Sequence, residues 1–366
     1  MYNLTTKLTA FLLPILMLFA FWKPEGQPND IPETRLPGCG CEALAPDQYG
    51  IWPTREFTTA TPQSERVDAK QLDARLWLTK TLCGGAQHTD SLLVLRHGKL
   101  VYENYFNGYD ENKPHELWSI TKSFTSALTG IAIGDGLIEG LDQKVIDFFP
   151  DAVIAPGQES KRDMTVGHLL TMTSGLDTKG KWSACKGADD FALRAFELPQ
   201  ANPPGKQYYY DDIAPSILLG MIARASGKNV LDYANEKLFG PIGITSARWD
   251  TTDDGLPIGA FGLALTPRDM LRFGYLYLNE GRWEDRQIIP REWVLQTPPK
   301  TLNPRGYGLM FWNNRWDLFQ GFYEANGADG QFISVYPSLD MVVVRTGDDP
   351  SFGYTASLLW VRLWAH

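Results

Sequence analysis

Histidine and cysteine are scarce in this chain of 366 residues, with five of the first and four of the second. The scarcity narrows the chemistry. No G-x-S-x-G occurs, which excludes the nucleophile elbow of the α/β-type Ser-His-Asp hydrolases. No histidine pair has the spacing of a zinc site such as H-E-x-x-H, so neither a metal nor another cofactor is expected. His97 falls in a turn, His115 in a loop and His366 at the end of the chain, while His168 lies in a helical Leu-Leu-Thr stretch as a core hydrogen-bonder. Cys39-x-Cys41 has no Cys or His cluster beside it and reads as a tether for the N-terminal segment or as free thiols. With Cys83 and Cys185 the count is even, which in an oxidising compartment allows up to two disulfides and three full pairings.

Basic residues are also in deficit, 34 Lys and Arg against 43 Asp and Glu, for a net charge of −9. The acids are spread along the chain, so a nucleic-acid surface is not expected. No 20–50-residue repeat and no low-complexity tract is present. Residues are 43% hydrophobic, enough for a well-buried core in one large domain or two intimate lobes. The longest apolar run, Leu8 to Trp22 behind Lys7, falls short of the ~20 residues that span a bilayer. It fits the hydrophobic region of a signal peptide; without a clean A-x-A cleavage site, an uncleaved anchor is the alternative. Residues 1–23 are therefore expected to be a signal peptide or N-terminal anchor. Membrane attachment would run through residues 8–22, with the bulk of the chain exported to the periplasm or beyond. Leu36-Pro37-Gly38-Cys39 is similar to a lipoprotein acylation site but lies too far past the apolar run.

Residues 24–64 are rich in Pro, Gly, Thr and Glu without periodicity, and read as a linker or extended wrap ahead of the body at 65–366. Ala69 to Leu82 reads as an amphipathic helix. Ser91 to Arg96 and Lys99 to Tyr105 are strand-like runs around His97-Gly98, a tight hairpin signal. A helical middle follows, including Thr165 to Met172, Ile213 to Ser226, Val230 to Leu238 and Pro267 to Asn279, the last with Pro in its first turn and Gly281 beyond its end. Strands return at Gln331 to Tyr336 and Met341 to Thr346, and Tyr354 to Trp364 reads as a closing amphipathic helix. This order predicts an α+β sandwich: one antiparallel sheet built from both terminal parts, flanked by helices, with a mainly helical lobe inserted.

Ser119-Ile120-Thr121-Lys122 opens an apolar helical run. Residues three apart share a helix face, with Cβ atoms about 5–6 Å apart, so the spacing brings an amine to a hydroxyl. A serine hydroxyl needs a neighbour to take its proton. Lys122 can do this only if burial or a cationic neighbour lowers its pKa from about 10.4, and Phe124, Leu128, Ile131 and Ile133 make a desolvated lysine the expectation. Tyr210, last of three consecutive tyrosines at a loop-to-helix junction, could project a phenol into a cleft as a proton relay. Ala325-Asn326-Gly327-Ala328-Asp329-Gly330, just ahead of a strand, could bring a backbone N–H to an oxyanion; an ordinary glycine-rich turn is the plainer reading.

Together these segments resemble the serine β-lactamase and penicillin-binding-protein superfamily, with most likeness to its esterase, class C and 6-aminohexanoate-dimer hydrolase-like branches. The matching stretches come in the family's order: Gly98-Lys99 with Glu103-x-Tyr105, Trp118 to Ser123, Thr165 to Leu176, Pro204-Gly205 to Asp212, and Gly327 to Gln331 with Pro337. The resemblance, over roughly residues 65–364, implies the β-lactamase/transpeptidase-like fold. It implies Ser119 as acylated nucleophile, Lys122 as its general base and Tyr210 as the catalytic tyrosine. The Ser119 and Ala328 N–H groups would form the oxyanion hole, with Asp212, Asn326 and Gly327 as candidates for substrate binding. Asp212 stands where the family's Tyr-x-Asn motif usually has Asn. Ala325 stands where lactamases and D-alanyl peptidases carry the cation that meets a substrate carboxylate. The expected activity is therefore hydrolysis of a small ester, amide or peptide through an acyl-enzyme. A D-alanyl-peptide hydrolase or β-lactamase is the runner-up, and a non-catalytic penicillin-binding or sensor-like protein is the reading from another class.

Overall fold

The strand β1 (Thr89–Arg96) carries a Leu-Leu-Val-Leu run with no polar alternation, the pattern of a strand covered on both faces. It turns through His97 and Gly98, both at positive φ (51° and 72°), into β2 (Lys99–Tyr105). Two such residues give a hairpin the twist that matches its strands. On its other side β1 pairs with the last described strand. The computed structural model describes residues 50–82, 88–297, 306–313 and 322–348. The expected leader at 1–23, residues 24–49 of the 24–64 segment with Cys39 and Cys41, Cys83 and the helix at 354–364 lie outside the described residues.

Five further strands complete the main sheet: β3 (Tyr307–Gly308), β4 (Phe311–Trp312), β5 (Tyr323–Gly327), β6 (Gln331–Tyr336) and β7 (Met341–Gly347). The spatial order is β2-β1-β7-β6-β5-β4-β3. Its pairs are antiparallel, with Val94 opposite Tyr102 on one side of β1 and Leu93 opposite Val344 on the other. The sheet from both terminal parts is thus present. Four longer helices matter for the site: α1 (Ala69–Leu82), α2 (Thr121–Gly134), α3 (Ala214–Ser226) and α4 (Pro267–Leu278). Among the described residues no helix is long and apolar enough to cross a membrane.

Leu72 and Leu76 of α1 cover one face of the sheet, packing with Val94, Val101, Phe332 and Val343. The other face, with Leu93, Leu95, Ile333, Val342 and Val344, joins α2, α3 and α4 in the main core. α4 comes very close: a Cβ on Gly274 would lie 2.5 Å from Val342 Cγ1 and 2.9 Å from Ile333 Cγ2. Thr266 caps α4 by accepting from Asp269 N at 3.2 Å, with Pro267 in the first turn.

The described part of the early non-periodic segment runs along the body. Trp52 lies 5.6 Å from the Tyr275 ring and 5.5 Å from that of Trp283. Arg272 donates to the carbonyls of Pro53 (2.8 Å) and Arg55 (3.3 Å), and Thr58 O accepts from Leu100 N. Elsewhere the middle is more broken than its apolar periodicity suggests. Thr165 caps a helix spanning only Val166–Leu170 and exchanges bonds with His168, whose Nδ1 accepts from Thr165 N at 3.1 Å. His168 therefore serves a helix end. The helix from Val230 changes pitch at Asn235 into a π turn. A small sheet of Arg248–Trp249, Leu263–Leu265 and His115–Glu116 was not expected, because two- and three-residue strands leave no periodic signal.

Candidate active site

Ser119 sits in a single 3-10 turn, Trp118–Ile120, that feeds directly into α2. Trp118, immediately before it, has φ of +48°, an unfavourable conformation for a non-glycine residue that costs of order 1–3 kcal/mol. The indole is 37% exposed. One turn later Lys122 is 1% exposed, and its ammonium uses all three donors. Nζ donates to Ser119 Oγ at 2.9 Å, to Asp212 Oδ1 at 2.7 Å and to the Ala260 carbonyl at 3.2 Å. The Tyr210 ring centroid is 4.7 Å from Nζ. The serine-to-lysine contact predicted from the spacing is present.

The direction of the lysine pKa is not the one expected. Burial alone would push it down, but Tyr210 and Asp212 outweigh burial and hold it above its ordinary value. At rest Lys122 is an ammonium donating to Ser119. Tyr210 is the larger of the two influences, and the Asp212 carboxylate, on a half-exposed side chain, adds to it by meeting the buried amine from the loop before α3. An asparagine there would place a neutral oxygen against the amine.

Tyr210 is half-buried in an aromatic wall. Its ring lies 5.6 Å from Tyr307, nearly perpendicular to it, and 5.7 Å from Trp312. Tyr208 completes the wall against Tyr307, whereas Tyr209 turns outward and is 44% exposed. Between Tyr210 and Asp212 lies a residue that the sequence reading missed. Asp211 is buried, and its Oδ1 accepts from the N–H groups of Ile213 (2.8 Å) and Ala214 (2.7 Å) at the start of α3. Burial pushes its carboxyl up to about 6, against the pull of those two N–H bonds and of Lys122. An aspartate two or three residues before an apolar helix is a legible capping signal. Two adjacent aspartates hid which of them did the capping.

The glycine-bracketed segment is strand and turn together. Ala325, Asn326 and Gly327 belong to β5, and Ala328–Gly330 form one 3-10 turn before β6. Gly327 abuts the Ser119 turn, since a Cβ there would fall 2.3 Å from the Leu117 carbonyl and 3.2 Å from Trp118 Cβ. Ala328 follows directly. Ala325 is fully buried in the main core. Asn326 donates its amide to Glu324 Oε1 at 3.0 Å, and Ser334 Oγ donates to the other oxygen of Glu324 at 2.7 Å. The structure thus brings Ser119, Lys122, Tyr210 and Asp212 together, with Gly327 against the turn that carries Ser119. The side chain of Asn326 is taken up by Glu324.

The other polar candidates are engaged elsewhere. His97 bonds Glu65 at 2.7 Å and His115 bonds Asp90 at 2.9 Å. Cys185 is a free, buried thiol that burial pushes up in pKa. Among the described residues no group of three His, Cys, Asp or Glu is placed to hold a metal ion.

An antiparallel sheet assembled from both terminal parts, flanked by helices and fronted by a serine with a buried lysine one turn on, is the architecture of the β-lactamase and transpeptidase-like serine hydrolases. Residues 78–351 match the Beta-lactamase family, and the chain belongs to it. The 6-aminohexanoate-dimer hydrolase of Paenarthrobacter ureafaciens is 21% identical over 287 residues, covering 72% of this chain and 73% of that protein. Among solved structures, EstCE1, a hydrolase with promiscuous acyltransferase activity, superposes with a TM-score of 0.62 at 16% identity, covering 76% of this chain and 94% of that one. The octameric penicillin-binding protein homologue of Pyrococcus abyssi superposes with a TM-score of 0.59 at 19% identity, covering 78% and 75%. The protein is a hydrolase of this family.

Proposed function

We propose that the protein hydrolyses a carboxylic ester or amide through an acyl-enzyme on Ser119. The observation that carries this reading is the 2.9 Å contact between Ser119 Oγ and the buried Lys122 amine. Once Lys122 has lost its resting proton, it takes the proton of Ser119 as Oγ attacks the substrate carbonyl. The Ser119 and Ala328 N–H groups receive the oxyanion, each contributing about 2.7–4 kcal/mol by analogy with other oxyanion donors. Collapse of the tetrahedral species breaks the bond to the leaving group, which takes a proton from Tyr210. Lys122 then returns its proton to Tyr210, and water adds to the acyl-serine, giving a proton to Lys122, which passes it to Ser119 Oγ as the acid is released.

The apolar residue at 325 supports substrates without a carboxylate handle, because a buried alanine offers no charge to an anion. The aromatic wall of Tyr208, Tyr210, Tyr307 and Trp312 supports an apolar acyl or leaving group. The names of two relatives, a 6-aminohexanoate-dimer hydrolase and an acyl-transferring hydrolase, point to the same bond classes. Residues 1–23 would export the chain as a signal peptide or anchor; sequencing the N-terminus of the mature protein would test this.

The test is nitrophenyl-ester turnover by the wild type, Ser119→Ala and Lys122→Ala. Each variant is expected to lose about 10³–10⁶-fold in kcat, the range seen when a nucleophile or its base is removed. Full activity in Ser119→Ala would overturn the assignment. A parallel panel of neutral esters, short amides, D-Ala-D-Ala peptides and nitrocefin is expected to favour the first two. Covalent labelling of Ser119 without turnover of any of them would favour a sensor.

A further inference from the structure

The turn after Ala328 reverses through two successive left-handed residues, Asp329 at φ +59° and Gly330 at φ +86°. Such a turn keeps one geometry only if its surroundings hold it. Gly327 presses on the Leu117 carbonyl from the Ser119 side. From the opposite side the turn meets Arg345, a residue of β7 that is only 5% exposed. Its Nη1 donates to the Gly330 carbonyl at 2.5 Å. The same guanidinium donates through Nη2 to His88 O (3.1 Å) and through Nε to Thr89 Oγ1 (3.2 Å), which fixes it to the start of β1. The fit leaves no slack, because a Cβ on Gly330 would lie 2.0 Å from Nη1.

A second tie runs beside the first. Gln331, fully buried, donates through Nε2 to Gly347 O at 2.6 Å and accepts from Gly347 N at 3.0 Å. A buried guanidinium gives up its hydration, and its fork makes several directed bonds at once where an ammonium would act as a point. From these contacts we infer that Arg345 is a positioning residue for acyl transfer. It locks the Gly330 peptide, and through it the direction of the Ala328 N–H, while Gln331 secures the same turn to the end of β7. The inference rests on the oxyanion role of the Ala328 N–H given above.

A double-mutant cycle on nitrophenyl acetate tests it, using Arg345→Lys, Ala328→Pro and the two combined. Proline removes the N–H, and Gly327 before it already has φ −119° and ψ 162°, the region a residue before proline requires. A328P is expected to lose about 10²-fold in kcat. R345K is expected to lose about tenfold in kcat with KM within about twofold, and to weaken inhibition by phenylboronic acid, whose serine adduct carries the tetrahedral oxyanion, by the same factor. On the A328P background, R345K should cost no more than about twofold, because the donor it orients is gone. Unchanged kcat in R345K, a loss confined to KM, or full additivity with A328P would overturn the inference while leaving the oxyanion hole standing. Full activity in A328P would remove the oxyanion role and the inference with it. Should R345K fail to show a cooperative melting transition, Gln331→Met cuts the second tie, and the same criteria decide.

Discussion

At the residue scale the site turns on one carboxylate. Together with Tyr210, Asp212 holds the Lys122 pKa above its ordinary value, so the base must lose a proton before it can accept the one from Ser119. Asp212→Asn removes that charge, the lysine pKa falls, and the acid limb of the kcat/KM profile should move to lower pH. A limb that stays put or moves up would contradict the assignment of Lys122 as base. Asp211 gives a stability counterpart. Its folded-state pKa of about 6 lies above the ordinary 3.8, so the folded protein binds this proton more tightly than the unfolded chain does. Its contribution to stability is therefore full below pH 3.8 and lost as pH rises through about 6. Asp211→Asn keeps an Oδ1 for the Ile213 and Ala214 N–H groups and never ionises. Its melting temperature, compared with wild type, should gain between about pH 4 and about pH 7. The serine-lysine pair was legible because both partners lie within one turn. The sign of the lysine shift was not, because it depends on Tyr210 and on Asp212, the latter 90 residues away in sequence.

At the scale of elements, the strands β1, β2, β6 and β7 and the helices α1 to α4 could be read directly from their apolar patterning and end signals. β5 could not be read, because Tyr-Glu-Ala-Asn-Gly alternates a buried Glu324 and a half-buried Asn326 with core residues and ends on a glycine. Its identity as a strand comes from pairing with β6, and its place in the site from the close approach of Gly327 to Leu117. Gly327→Ala should therefore do more than fill space. Its Cβ meets a backbone oxygen that has nowhere to go, so β5 must withdraw from the Ser119 turn. We expect kcat on a neutral ester to fall at least tenfold, with a loss of stability of about 1–3 kcal/mol by urea denaturation. Gly274→Ala, whose Cβ would meet Val342 and Ile333 rather than the turn that carries Ser119, should show a similar stability loss with a far smaller fall in kcat.

For the whole molecule, the segment from 50 to 66 anchors a body whose site lies elsewhere. Trp52 rests on Tyr275 and Trp283, beside the carbonyls that Arg272 holds. Trp52→Ala should cost about 2 kcal/mol, less than a fully buried tryptophan would, with KM unchanged; thermal denaturation alongside steady-state kinetics checks both. The pairing of β1 with β7 carries a different consequence. Ser91 Oγ meets Thr346 Oγ1 at 2.7 Å across a separation of 255 residues, so this pairing is among the most non-local contacts in the chain. Closing so long a loop is entropically slow, and the β1–β2 hairpin must wait with one flank open until β7 arrives. During synthesis from the N-terminus, that flank stays unpaired while the whole helical lobe is made. Until β7 arrives, that open flank is an unpaired strand edge of the kind that pairs with other chains.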